Sequence, residues 1–372
     1  MTYDVAVVGG GIIGCAVAAE LAERGARVVL LERERIGCGA SSAAAGMLAP
    51  QAEAQGPDTW FRLLLDARTE HEPLACRLRH ETGLDVGYRR DGVLRIAQNE
   101  AERGELQTRG AWQREFDLAA EWLEPEDAVR LEPALVADIA GALWLPDEAQ
   151  VHSPRLVQAL SVLAARRGAE LREGAAVMSV ETSVGRVSGV RTAAERIHAP
   201  AVVLAGGVWT SSVVGAKLPL EPVKGQIVSA VATQAAPRRM IWGSGAYLTP
   251  KSDGQLLIGA TEEPGVFDTR TTLGAISGLI DAGARLVPGL AGLPLNGAWA
   301  GLRPALPDRR PAVGALGEPE GLFVATGHYR NGILLGPLTG KLIARLVLGE
   351  APEVDLEAYS PRRFLRQLAP TG

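Results

Sequence analysis

The chain has 372 residues, 47% hydrophobic and 22% charged. That is an ordinary globular balance, and at roughly 150 residues per domain it allows two or three domains. A net charge of −5, from 38 basic and 43 acidic residues, lends no support to a nucleic-acid partner, and three cysteines cannot close a disulfide framework.

Tyr3-Asp4-Val5 enters an apolar run at once, with no basic leader and no cleavage signal. The longest uncharged stretch, Val5–Ala19, is interrupted by glycine and falls short of the roughly 20 residues a spanning helix needs. The expectation is a soluble cytoplasmic protein with no transmembrane segment.

Val5–Val8 reads as a buried strand, and Gly9–Gly14 as a glycine cluster. Ile12–Arg24 reads as a helix with Ile13, Val17 and Leu21 on one stripe, and Gly25 as its left-handed stop. Ala26–Leu31 is a second strand ending at Glu32. Two apolar strands around a helix predict a parallel βαβ unit.

Further on, Gly92–Ala97 reads as a strand and Glu100–Phe116 as a charged helix. Ser153-Pro154 is a cap followed by a first-turn proline, opening a helix over Arg155–Arg167. Strands are expected over Ala175–Glu181, Gly185–Arg191, Ala201–Ala205, Gln226–Val231, Ala246–Thr249, Leu256–Gly259 and Leu322–Thr326. Leu273–Leu286 reads as a helix, and a last helix begins within Gly332–Pro337 and runs to Leu348. No repeat or linker-like tract appears, so the domains are expected to interleave along the chain.

Gly9-x-Gly11-x-x-Gly14 fits a dinucleotide fingerprint. The first glycine permits the tight turn, the second admits a pyrophosphate to the backbone, and the third lets helix and strand close up. The helix start offers free N–H groups to phosphate. Glu32, at the end of the second strand, would accept ribose hydroxyls. The bland alternative is a turn that only packs. Gly37–Met47, small and polar, returns toward the nucleotide. A flavin dinucleotide would use such a second cradle, whereas a nicotinamide dinucleotide has no need of one.

Trp299, Gly301 and Arg303 share one face if Trp299–Pro304 is extended, and Pro304 biases Arg303 that way. An arginine fixed on a strand suits bidentate grip of a carboxylate; a surface arginine on an edge strand is the alternative. Tyr247 and Thr249 share a face upstream, and the Tyr247 hydroxyl would add a bond or simply pack. Thr326–Leu335 joins a strand to the last helix and reads as a second anion site. His328 there is a base or, more commonly for a lone histidine in a turn, a hydrogen-bonded structural residue.

Together these residues resemble the D-amino-acid-oxidase-like flavoproteins, especially the glycine oxidases of thiamine biosynthesis. The markers are Gly9–Gly14 with Glu32, Ser41–Leu48, Lys224-Gly225-Gln226, Leu256–Thr261, Trp299–Pro304 and Gly327–Leu335. The resemblance implies an α/β fold: an FAD-binding Rossmann-like domain with an interleaved substrate domain on a mainly antiparallel sheet. The FAD domain is expected over 1–85, 141–217 and 300–372, the substrate domain over 86–140 and 218–299. It also implies FAD against Gly9, Gly11, Ile12, Ile13, Gly14, Glu32, Arg33, Ala40, Ser41, Ala45, Gly46, Met47, Val177 and Gly206. At the ring end it implies His328, Tyr329, Arg330, Asn331, Gly332, Ile333 and Leu334.

By the same resemblance, Arg303 and Tyr247 grip the substrate carboxylate, the Arg330 carbonyl orients the amine, and Met47 lies near the reacting carbon. The cysteines are Cys15, Cys38 and Cys76, none late in the chain, so FAD is expected to be non-covalent. No metal is expected. The implied reaction is oxidative deamination of glycine or a similar small amino acid, with dioxygen reduced to hydrogen peroxide and the imine supplying thiazole synthesis. A homo-oligomer is expected by analogy. Gly245 and Glu262 depart from some glycine oxidases and leave the preferred amine open. The other readings are a sarcosine, D-proline or D-amino-acid oxidase or dehydrogenase, and a non-catalytic flavin-binding subunit.

Overall fold

The computed structural model describes residues 2–213 and 218–365. The N-terminal unit forms as the hydrophobic pattern requires. β1 (Val5–Val8), α1 (Ile12–Glu23) and β2 (Val28–Leu31) make a parallel βαβ unit in which Val5 pairs with Val28. Both strands are buried on both faces. Val5, Val7, Val28 and Leu30 enter one core, and Ala6, Val8, Val29 and Leu31 the other.

β1 also pairs in parallel with Ala201–Leu204, so the chain leaves it toward opposite sides. This is the topological switch point at which such sheets bind ligands. The sheet has six strands, in the order Ala312–Ala315, Leu322–Thr326, Ala201–Leu204, β1, β2, Glu170–Arg172.

The stripe expected on α1 understates its burial. Ten of its 12 residues are buried, because the helix lies beneath the sheet and against helices Ser153–Arg166 and Gly332–Val347. The last helix crosses closely: a Cβ at Gly336 would overlap Ile12, and one at Gly340 would press on Ala16. A three-stranded meander, Val177–Ser183, Arg186–Thr192 and Arg196–His198, packs against the other face.

The second sheet has nine strands and is antiparallel except for Met240–Gly243 beside Val93–Ala97. Leu295–Ala305 pairs with Glu221–Val231, which pairs in turn with Gln255–Gly259, and that strand pairs with Ala246–Pro250. Helix Leu273–Leu286 covers one face through Leu279 and Leu286, against Leu248 and Ile258. The opposite face, carrying Tyr247, Ile227 and Trp299, turns toward the dinucleotide domain.

Two expected boundaries fall inside this sheet. Gly141–Leu145 pairs with Val93–Ala97, so residue 141 does not open a dinucleotide-domain segment. Leu295–Ala305 stays paired through Ala305, past the boundary expected at 300. Strand propensity does not say which sheet a strand joins. The boundary expected at 217 lies outside the described residues. Helix Ser153–Arg166 starts two residues earlier than expected, and its cap is His152, whose Nδ1 accepts from the Arg155 N–H at 3.4 Å. No helix among the described residues is long and apolar enough to cross a membrane.

Candidate active site

One cavity of about 300 Å³ runs from the glycine turn to the face of the antiparallel sheet. At one end stand Gly9, Gly11, Ile12 and Ile13, from the turn after β1 and the first turn of α1. Gly9 has a φ of +109°, and a Cβ there would press on the Ala205 carbonyl. Gly14 is beneath the turn rather than on the wall; a Cβ would overlap the Gly9 carbonyl. Its place is to let helix and strand close up.

Glu32 lines the cavity at the end of β2. Its carboxylate accepts the Gly10 N–H at 2.7 Å and the Glu34 N–H at 3.0 Å. The Ser41 hydroxyl accepts from the Ile12 N–H at 3.0 Å, so the expected second cradle meets the helix start. Arg33 stacks 3.6 Å from the Trp209 ring centre, and Trp209 stands edge-on to Phe267.

At the other end the period of two in the strands decides what faces in. Tyr247 stands directly opposite Gly259, and Arg303 one pleat along from the Gly225–Gly301 pair. Side chains at these glycines would collide with their neighbours: a Cβ at Gly259 would overlap the Tyr247 ring, and one at Gly225 the Arg303 guanidinium. The two glycines are notches for the two polar side chains. Arg303 donates to the Thr261 carbonyl at 3.0 Å and pairs with no carboxylate among the described residues. Burial pushes the Tyr247 phenol up, while Arg303 and Arg330 pull it back.

Arg330 lies 5.5 Å from the Trp242 ring centre, between Glu53 at 3.7 Å and Glu262 at 3.7 Å. Glu53 chiefly holds the Arg330 guanidinium above its ordinary value. Tyr329, with a φ of +51°, donates its hydroxyl to Glu262, and burial with that bond pushes its phenol up to about 12.

Of the residues expected here, Ala40, Ser41, Ala45, Gly46, Met47, Val177, Gly206, His328, Tyr329, Arg330, Gly332 and Ile333 line the cavity. Asn331 and Leu334 do not. Leu334 is one helical step round from Ile333, 2% exposed, and its carbonyl meets His71 Nε2 at 2.9 Å. His328 is buried, bonded through Nε2 to Thr339 at 3.1 Å, and held down to about 3 by burial, so it is a structural histidine.

Sequence reading missed Glu53 and Trp242, both on the wall. Trp242 lies opposite Tyr247 on a strand that periodicity did not reveal. Glu53 ends a four-residue helix with no local signal of its purpose.

A family model described as FAD-dependent oxidoreductase matches residues 4–346. The chain belongs to the FAD-dependent oxidoreductases. The glycine oxidase of Geobacillus kaustophilus is 40% identical over 98% of this chain and 97% of that protein. The bifunctional protein ThiO/ThiG of Synechocystis is 36% identical over 99% of this chain, which spans 55% of that longer protein. The crystal structure of the Geobacillus kaustophilus glycine oxidase superposes with a TM-score of 0.92, covering 96% of this chain and 98% of that one.

The cofactor of this oxidoreductase is FAD, and the cavity suits it. A glycine turn without side chains leading into α1, and an acid at the end of β2, occupy the dinucleotide end. An open guanidinium and a phenol occupy the other.

Proposed function

We propose that this oxidoreductase deaminates glycine, or a similar small amino acid, with dioxygen as the final electron acceptor. In the overall reaction glycine, water and dioxygen give glyoxylate, ammonia and hydrogen peroxide. The observation that carries this reading is Arg303, a cavity guanidinium set in the Gly225 notch beside Tyr247, which donates to the Thr261 carbonyl and pairs with no carboxylate among the described residues. A strand arginine left open in this way suits the carboxylate of an amino acid.

Bound FAD supplies the two-electron acceptor. The chain binds and orients. Arg303 takes the carboxylate, the Tyr247 hydroxyl adds a bond to it, and the Arg330 carbonyl takes an amine N–H. Met47 borders the reacting carbon. These attachments fix Cα, and the catalytic work is orientation and electrostatics. No side-chain base is assigned; His328 is committed to Thr339. An imine passed on before its hydrolysis would supply thiazole synthesis, a role in keeping with the ThiO/ThiG relative. The same reading makes the FAD non-covalent and the protein a cytoplasmic homo-oligomer.

The test is peroxide release over glycine, sarcosine and both enantiomers of alanine and proline, with anaerobic flavin reduction alongside. Glycine is expected to give peroxide. Flavin reduction without peroxide would make the protein a dehydrogenase. Failure of every amine to reduce the flavin would leave a binding subunit and end the oxidase reading.

A further inference from the structure

We infer that Glu262 sets the charge of the substrate admitted, restricting the cavity to amines that carry a single carboxylate. This rests on the amino-acid-oxidase reading above. Two guanidiniums serve the substrate end, and one short segment after strand Gln255–Gly259 touches both. The Thr261 carbonyl accepts from Arg303 at 3.0 Å. The next residue, Glu262, sets its carboxylate 3.7 Å from Arg330.

The two arginines are thereby made unequal. Arg303 meets the Thr261 carbonyl and the neutral Tyr247 phenol, with no carboxylate among the described residues, and keeps its charge for a ligand. Arg330 lies between Glu53 and Glu262, each at 3.7 Å. The Glu262 carboxylate is held in place as well, because the Tyr329 hydroxyl donates to it. The Tyr329 ring is itself covered by Arg309, 4.8 Å from its centre.

Glu53 and Glu262 therefore offset Arg330, while Arg303 keeps its charge; Arg95, 4.8 Å from the Trp242 ring centre, and Arg309 at Tyr329 add positive charge beside these aromatic rings. A zwitterionic amino acid brings one carboxylate, which Arg303 matches. A second carboxylate, carried on the amine, would find Arg330 already neutralised and would meet Glu262 instead. Like charges set against each other are a means of rejecting a wrong ligand. Glu262 has 47% of its side chain exposed and stands behind Tyr329 and Arg330, both of which line the cavity, so its charge reaches the site through these two residues.

The experiment compares sarcosine, N-methylglycine with one carboxylate, and iminodiacetate, N-carboxymethylglycine with two. Holoenzymes of the wild type, Glu262→Gln and Glu262→Asp are used. Wild type is expected to favour sarcosine in kcat/KM by about tenfold or more. In Glu262→Gln the iminodiacetate-to-sarcosine ratio is expected to rise about tenfold, and Glu262→Asp is expected to keep the wild-type ratio.

A second readout needs no turnover. Methoxyacetate and diglycolate, the unreactive ether counterparts, are titrated against the flavin absorbance, and the same change in their relative affinity is expected. A binding ratio that stays fixed in Glu262→Gln, or no perturbation by either acid, overturns the inference. Flavin that no amine reduces, with a binding ratio that moves as expected, defeats the oxidase reading and leaves the charge filter standing.

Discussion

A guanidinium is free to hold a ligand's carboxylate only if its own protein has not already neutralised it. Arg303 meets that condition and Arg330 does not. Charge-assisted hydrogen bonds contribute about 1.5–3 kcal/mol each, and removing one partner strands the other. Arg303→Ala is expected to lower kcat/KM for the best amine by roughly two to three orders of magnitude, at about 1.4 kcal/mol per decade, with FAD retained. Turnover within a few-fold of wild type would remove Arg303 from the carboxylate site. The notches give a subtler probe. Gly225→Ala places a methyl where the guanidinium rests. It should raise KM at least tenfold while the flavin spectrum stays intact; an unchanged KM would show that Arg303 does not need the notch. Arg303 and Tyr247 are legible in the sequence because alternation in a strand and a following proline are local properties. Their glycine partners, Gly225 and Gly259, belong to other strands, and only register reveals what they accommodate. Glu53 and Trp242 are illegible for the same reason: each acquires its meaning from a neighbour that tertiary folding supplies.

At the scale of elements, the glycine turn with α1 is the most local feature of the fold. Strand, turn, helix and strand all follow from the segment Val5–Leu31. Here the role of each glycine is readable in the sequence, because it is a steric argument about one turn. Gly14→Ala tests it: the added methyl overlaps the Gly9 carbonyl, so α1 must move away from β1. The variant is expected to purify largely without flavin, read as a collapse of the visible absorbance relative to the protein's ultraviolet band. A fully yellow variant would mean that the turn tolerates what the geometry forbids. Gly340, pressed on Ala16 from the last helix, is not readable in this way. A glycine inside a predicted helix announces a cost, not the identity of the helix it faces. The misplaced boundaries at 141 and 300 belong to this scale as well, since a strand's hydrophobic pattern is the same whichever sheet receives it.

For the whole molecule, burial of ionisable groups makes stability depend on pH in opposing directions. Burial depresses His71 to about 4 and His328 to about 3, whereas an unfolded histidine titrates near about 6.5. Their contribution is complete above the unfolded value. It is lost as pH falls from about 6.5 toward about 4, where the unfolded chain binds protons that the folded chain refuses. Glu148 acts in reverse. Burial lifts its carboxyl to about 8, so its contribution is present below the unfolded value and is lost as pH rises through the range up to about 8. His71→Gln, whose Nε2 can stand where the imidazole Nε2 meets the Leu334 carbonyl, isolates one part. Its melting temperature is expected to fall less steeply than wild type between about pH 6.5 and 4. Parallel slopes would take His71 out of the acid sensitivity.

The pairing of Gly336 and Gly340 with Ile12 and Ala16 also bears on the order of assembly during synthesis. The glycine turn is made some 320 residues ahead of the helix that braces its underside. Strand Leu322–Thr326, which pairs with Ala201–Leu204 in the parallel sheet, is equally late. A nascent chain that stops short of Leu322 would carry the whole fingerprint and still lack its floor. Flavin capture is therefore expected to wait for strand Leu322–Thr326 and the helix after it, and truncation ahead of that strand would yield a colourless protein with an intact motif.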